Sequence, residues 1–275
     1  MPRGSDTQQN VNTHFDSTAS YWDAVYSERD LQGAIYQQRQ AAVLGYVDAA
    51  LARRDRAQQI GRALEIGCGA GHLTVRLGER NLMVNAVDAS LAMVELTADQ
   101  VRQAGQQGRV DVSLADVHAL PYEAGKFDLV VAVGVIPWLH SPERAIAEMA
   151  RVLRPEGQLI LTADSATRLS SLTDPRGLLA LTPLRRVYHA ARDRPEEAVS
   201  YLYSPRRIDG HLREAGLRRV ARRTVGFGPL SFLGKPIFSE QRALRIDRRL
   251  QSLADRGVPG VRSTGWHYVV RAAKP

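Results

Sequence analysis

LEIGCGAGHLT, residues 64–74, is the stretch whose reading decides the fold. A short apolar run, ALEI (63–66), leads into Gly67, Gly69 and Gly71, and a helical pattern, HLTVRLGER (72–80), begins directly after it. Glycines suit such a turn because the chain reverses with backbone angles that a β-carbon obstructs. They also let a ligand approach the backbone at the carboxyl end of a strand, where open α/β sheets bind their ligands. Asp88 ends the next strand candidate, 21 residues after Gly67. A carboxylate there accepts hydrogen bonds from both hydroxyls of a ribose, which points to a ligand containing adenosine.

A dinucleotide-binding sheet shares these two features, so finer details must discriminate. The dinucleotide pattern is GxGxxG. Here the run is Gly67-Cys68-Gly69-Ala70-Gly71-His72, with the third glycine one position early and His72 in its place. Glu65 lies two residues before the first glycine, close to where a pyrophosphate would sit. An acidic group there repels phosphate and attracts an ammonium or a sulfonium.

Working outward, LMVNAV (82–87), VDVSL (110–114), FDLVVAV (127–133) and GQLILTA (157–163) read as strands, with helices at 90–105 and 141–157 between them. Ser141 is a candidate cap for the latter helix, Pro142 sits in its first turn, and Pro155 and Gly157 are its expected end. Strands alternating with helices of this length predict a parallel sheet covered on both faces. Two helices are expected upstream, at 12–27 and 33–54. Downstream, 172–200 reads as irregular helix, 204–217 as helix, 217–227 and 266–273 as strands, and 239–255 as a basic amphipathic helix. The predicted fold is therefore α/β, a Rossmann-like, mostly parallel sheet of seven strands with helices on both faces and a helical cap. The cap is the insertion between the last two strands, with Ala243, Ile246, Leu250 and Leu253 as its buried stripe.

The net charge of +8 is unevenly spread. Residues 166–275 carry 22 Lys and Arg against 9 Asp and Glu, whereas the first 165 carry 15 against 20. A solvated arginine-rich surface explains this, as does attraction to an anionic substrate, a membrane surface or nucleic acid. No run approaches the roughly 18 apolar residues of a membrane span, and the polar first residues lack a secretory core, so a cytoplasmic location is expected. The single cysteine, Cys68, has no partner for an internal disulfide and reads as a small packed residue. No Cys/His cluster has zinc-like spacing, so no metal is expected.

ALEIGCGAGHLT resembles the first motif of class I S-adenosylmethionine-dependent methyltransferases, and VNAVDAS (84–90) resembles their second. LADVHALPYEAGKFDLVVAVGVIPWLHSPERAIAEMARVLRPEGQLILT (114–162) is similar to the rest of that family's core, in order. The likeness is to the small-molecule methyltransferases, a group that includes quinone and porphyrin enzymes. It implies S-adenosylmethionine as cofactor. Glu65, Gly67 and Gly69 would line its methionine part and Asp88 would hold the ribose, with Gly71 and Ala89 also among the cofactor-binding residues; for Glu65 and Gly71 a purely geometric role in strand and helix stays open. Asp116 would bond the exocyclic amine of adenine, Val117 would add a backbone contact, Met93 would pack on the ring, and Gly134 would lie beneath the cofactor. Arg39, in YQQRQ, has the length either to reach the cofactor's carboxylate across the sheet top or to form a surface salt bridge.

HFDSTASYWDAVYSERD (14–30) resembles the N-terminal gate of these enzymes, especially the magnesium-protoporphyrin O-methyltransferases, whose catalytic aromatic and histidine match Tyr26 and His140. His140, in the loop after the fourth strand, is thus the expected general base, the imidazole being the side chain best poised near neutral pH. The porphyrin-specific C-terminal features are not recognisable, so the acceptor does not transfer. On this reading residues 1–56 form a helical gate, 57–165 the cofactor core, and 166–275 the remaining strands with a basic, acceptor-binding cap. The expected acceptor is a small molecule, anionic or hydrophobic, with contact at a membrane surface open and no stable nucleic-acid complex. Other readings stay open: a nucleic-acid-associated methyltransferase or RNA-binding protein using the basic part, a nicotinamide oxidoreductase, and a cofactor sensor.

Overall fold

The computed structural model describes residues 5–26, 28–52, 61–174 and 200–275. Three helices, α1 (Ser5–Ser17), α2 (Ala19–Ala24) and α3 (Leu31–Leu51), precede the first strand. The alternating core follows: β1 (Arg62–Ile66), α4 (His72–Gly78), β2 (Met83–Asp88), α5 (Leu91–Gln103), β3 (Val110–Leu114), β4 (Phe127–Ala132), α6 (Pro142–Val152) and β5 (Leu153–Asp164). Then come α7 (Leu169–Thr173), α8 (Pro205–Glu214), β6 (Arg218–Val225), a two-stranded hairpin of β7 (Ser231–Phe232) and β8 (Lys235–Pro236), α9 (Glu240–Asp255) and β9 (His267–Ala273).

Seven strands form one sheet in the order β3-β2-β1-β4-β5-β9-β6. The first five are parallel, and β9 runs antiparallel to both β5 and β6. That insertion separates this sheet from the 3-2-1-4-5-6 order of dinucleotide-binding folds. Apolar side chains are buried on both faces, as β1 requires at the middle of a parallel sheet. Val43 and Val47 of α3, Leu77 of α4 and Val101 of α5 pack on one side, and Ile146 and Met149 of α6 with Ile208 and Leu212 of α8 on the other. Short polar residues start several helices by accepting backbone N–H groups that the helix leaves unpaired: Asp30 from Gly33, Ser90 from Met93 and Ser204 from Arg207.

Several expectations change. The helix expected over 12–27 is two, broken at Thr18, whose hydroxyl bonds the His14 carbonyl at 2.8 Å and competes with the backbone. The helix expected to run to Gly157 stops at Val152, and β5 begins at Leu153. Pro155 disfavours helical angles at Arg154, so the chain is already extended there. Ser141 occupies the start of α6 but gives no side-chain cap; its hydroxyl bonds the Glu143 carboxylate instead.

The helix of the expected cap is present as α9, but it packs on α3 and β6. Its buried residues are polar. Asp247 accepts from Gln38 Nε2 and the Phe227 N–H, and Gln251 accepts from the Gly226 N–H and donates to the Thr224 carbonyl. The apolar stripe is only partly covered, and Leu253 is 37% exposed. Most of the expected irregular helix at 172–200 lies outside the described residues. Among the described residues no helix is long and apolar enough to cross a membrane.

Candidate functional site

A cleft opens at the carboxyl ends of β1, β2, β4 and β5 and the start of β9. Its floor is the turn after β1. Gly67 has a positive φ of 71°, and a β-carbon there would stand 2.4 Å from Val135 Cγ2. Gly69, also at positive φ, has open space where a side chain would be, so the cradle is left clear. Gly71 does not line the cleft. Its Cα position lets α4 approach α5, since an added carbon would meet the Thr97 backbone at 3.0 Å. The third glycine of the motif therefore serves helix packing and not ligand contact, which corrects its expected role.

Asp88 is held at the end of β2 by the Gly69 N–H on Oδ2 and the Ser90 N–H on Oδ1, each at 3.0 Å. The Ala89 N–H also bonds the carboxylate, whose remaining lone-pair capacity is open to a ligand hydroxyl. Glu65 is buried in the cleft wall, 2% exposed, and its Oε2 has no hydrogen-bond partner among the described residues. Burial pushes the Glu65 carboxyl up to about 8, with the Thr74 hydroxyl opposing the shift and the Asp88 carboxylate adding a smaller push. Arg39 crosses from α3 over the sheet top to Gly134, donates from Nη2 to the Tyr26 hydroxyl at 2.9 Å, and keeps a buried Nε without a partner. Ala89, Met93, Val117 and Gly134 all line the cleft, as does Asp116, whose Oδ1 takes both the backbone and ring N–H groups of His118.

The roof comes from the N-terminal helices and is largely aromatic. Phe15, Trp22 and Tyr26 line the cleft together with Tyr36, Trp138 and Trp266, and Trp22 and Tyr26 pack ring against ring on Tyr36. Phe15 stacks edge-on against Trp138 at 5.1 Å, and His72 Nε2 ties the Asp23 carbonyl of the roof to the core at 3.0 Å. Tyr26 is thus in the cleft as expected. His140 is not. Its ring lies on His118, 3.9 Å between centroids, outside the cleft lining, and burial together with that second imidazole pushes its pKa down. The expected general base is therefore displaced from the cleft by its stacking on the histidine that Asp116 fixes. None of residues 229–258 lines the cleft either, so α9 is a buttress and not a cover over it.

The cleft also holds a pair that sequence reading missed. Asp164 ends β5, His267 begins β9, and the antiparallel register sets them opposite each other. His267 Nδ1 lies 2.9 Å from Asp164 Oδ1. Burial works against ionisation of Asp164, but the His267 bond and the charges of Arg39 and Arg168 outweigh it and hold the carboxyl below its usual range. Cys68 is buried, and burial pushes its thiol pKa well up, in keeping with a packed residue.

A glycine cradle under a ribose-ready carboxylate, beside a buried acid, in a sheet closed by an antiparallel strand defines an α/β domain for an adenosine ligand carrying an amino acid. Residues 64–161 match the family model described as a methyltransferase domain. The chain is 34% identical over 162 residues to 27-O-demethylrifamycin SV methyltransferase of Amycolatopsis mediterranei, covering 57% of this chain and 53% of that one. Magnesium protoporphyrin IX methyltransferase from Synechocystis PCC 6803, solved with bound SAH, superposes with a TM-score of 0.62 at 17% identity, over 96% of this chain and 98% of that one. The [4+2]-cyclase SpnF superposes with a TM-score of 0.59 at 22% identity, over 98% and 96%. Residues 64–161 therefore resemble a methyltransferase domain, and the fold is the one that the solved methyltransferase shares. The chain spans about half the length, or less, of the first curated relatives that it matches. The cyclase shows that the fold is not tied to one reaction, so the reaction must be argued from the site.

Proposed function

We propose that this protein transfers a methyl group from S-adenosylmethionine to a small, largely apolar acceptor held under the aromatic roof. The observation that carries the reading is the buried, unpartnered Glu65 Oε2 in the same cleft as Asp88 and Arg39. These side chains fit the cofactor group by group. The ammonium of the methionine moiety supplies the partner that Glu65 lacks, and Arg39 offers a cation to its carboxylate. The two oxygens of Asp88 take the ribose hydroxyls, and Asp116 stands where the family's adenine contact is expected. When bound, the sulfonium supplies an electrophilic methyl group.

The chain's own task is then alignment and exclusion of water. A displacement of this kind needs reacting atoms held roughly 3–3.5 Å apart and in line. The aromatic walls, stiff and with little rotamer freedom, suit that purpose for a flat or apolar acceptor. The acceptors of the rifamycin and porphyrin relatives are of this broad kind, and they motivate the choice of a hydrophobic small-molecule pool for testing.

Calorimetry with SAH tests the cofactor side. Binding is expected for the intact protein, with no comparable binding of NADH. Asp88→Ala removes hydrogen bonds to a charged acceptor, so a loss on the order of 1.5–3 kcal/mol is expected. Unchanged affinity in that variant overturns the assignment of Asp88. A methyl-labelled cofactor incubated with hydrophobic extract fractions then tests transfer, and a protein that binds SAH but labels nothing overturns the reaction.

A further inference from the structure

The end of β5 and the start of β9 meet in the cleft wall, and the chemistry of that meeting fixes a proton. Asp164 is ionised, so its oxygens only accept. The 2.9 Å contact to His267 therefore places the proton of a neutral imidazole on Nδ1. Nε2 is left with its lone pair on a ring that lines the cleft. The ring is held by more than the carboxylate. Tyr36 lies against it at 5.9 Å between centroids and Trp266 at 6.0 Å, and both also line the cleft.

We propose that His267 is the general base of this site, positioned by Asp164, and that the acceptor class is a hydroxyl compound, an alcohol or phenol. The inference rests on the methyl-transfer reading above. In the step, the acceptor oxygen forms a bond to the methyl carbon. The carbon–sulfur bond breaks with its electron pair going to sulfur, and the hydroxyl proton passes to His267 Nε2. An amine acceptor would arrive protonated and would shed its proton to water beforehand, whereas a hydroxyl gains most from a base within reach.

The electrostatic setting suits the role. The groups facing His267 are Asp164 on β5, Tyr36 and Arg39 on α3, and Arg168 after β5. Burial first, then the two arginines, push the imidazole below its ordinary value, against the pull of Asp164. His267 is thus neutral and able to accept a proton through neutral pH. His140, by contrast, stacks on His118 outside the cleft lining.

Two measurements decide. Nitrogen NMR of the imidazoles in the SAH complex should show His267 as the Nδ1–H tautomer at pH 7.5, protonating only below the usual imidazole midpoint. In Asp164→Asn that tautomer preference should weaken, and Asp164→Glu should restore it in part. An Nε2–H tautomer, or an imidazolium at pH 7.5, overturns the proposal. The second measurement is label transfer from methyl-labelled cofactor into the hydrophobic extract fraction that the intact protein labels. His267→Ala should lower the initial rate about 10²–10⁴-fold. Its affinity for SAH should stay within threefold, its circular dichroism should be unchanged, and added imidazole should restore part of the rate. A folded His267→Ala protein that labels within threefold of the intact one overturns the base assignment, as does loss of transfer in His140→Ala alone. If the intact protein binds SAH and labels nothing, the methyl-transfer reading fails first and this inference falls with it. If it labels and His267→Ala labels equally, only this inference falls.

Discussion

If the cofactor's ammonium sits on Glu65 as proposed, exchanging Glu65 for Gln removes a carboxyl that must give up a proton on binding. In the ligand-free protein, burial and Asp88 hold Glu65 at about 8. At pH 7 it is then about 90% protonated. An ammonium arriving at Oε2 favours the ionised form, so binding of SAH should release about 0.9 proton at that pH. The released proton goes to the buffer. Plotting observed binding enthalpy against the ionisation enthalpies of several buffers should give a line whose slope is that number. Affinity should rise roughly tenfold per pH unit between about pH 6 and 7, before the ligand's own amino group titrates appreciably. Glu65→Gln keeps the shape and loses the titration, so both the release and the pH dependence should nearly vanish. Asp88 is also pushed up by burial, and any release it adds is common to both proteins. A companion effect has the opposite dependence on pH. The folded, ligand-free state holds a proton that the unfolded state gives up above the ordinary carboxylate range. This contribution to stability is complete below that range and is lost as pH rises through about 8. The melting temperature of ligand-free protein should therefore fall from pH 5 to 8 more steeply than that of Glu65→Gln. A buffer slope near zero for the intact protein, or an equal slope in the variant, refutes the reasoning.

Gly67→Ala should lower stability by about 1–3 kcal/mol in urea unfolding, since the new carbon overlaps Val135 at a positive φ, and should weaken SAH binding as the turn shifts. Wild-type values for both would mean the turn tolerates a side chain. Cys68 should resist maleimide labelling in the native protein and label stoichiometrically in denaturant, because its thiol is buried and its pKa raised; rapid native labelling would contradict the packed role.

What the sequence made legible was local. The strand, the glycine turn, the helix after it and Asp88 are contiguous or one unit apart, and each signal has one stereochemical use. The five parallel strands appear where apolar runs end at turn residues. Features that depend on distant residues were not legible. Asp164 and His267 are separated by 103 positions, and only the antiparallel register brings them together. Nothing in WHYVV marks its histidine, and Asp164 lies one residue past the strand read from GQLILTA. The buried face of α9 was misread for a different reason. Counting apolar residues selects Ile246 and Leu250, yet the helix is fixed by Asp247 and Gln251, whose bonds go to backbone groups at the end of β6. His140 came from its loop position and the resemblance, and neither shows that the His118 ring, 22 residues earlier, stacks on it at 3.9 Å.

The strand that distinguishes this sheet from a dinucleotide-binding one also shapes its chemistry. In a parallel sheet every strand delivers its last residue to the ligand edge, and the first residues face the opposite end. A run of parallel strands can therefore line a cleft only with residues at or just past the ends of its strands, such as Glu65, Asp88 and Asp164. Because β9 runs the other way, its first residue arrives at that same edge. His267 is thus paired with the carboxylate that ends β5 by backbone hydrogen bonding, before any side chain contributes. Such a pair, set on two interior strands, is more rigid than one placed on a loop, and rigidity matters for a base that must meet a proton within hydrogen-bond reach. The N-terminal helices complete the arrangement from the other side, for Arg39 and Tyr36 come from α3 and stand over both the cofactor cradle and the β5–β9 pair. A change at Arg39 should consequently disturb two measurements at once, the affinity for SAH and the titration of His267, whereas a change at Glu65 should touch only the first.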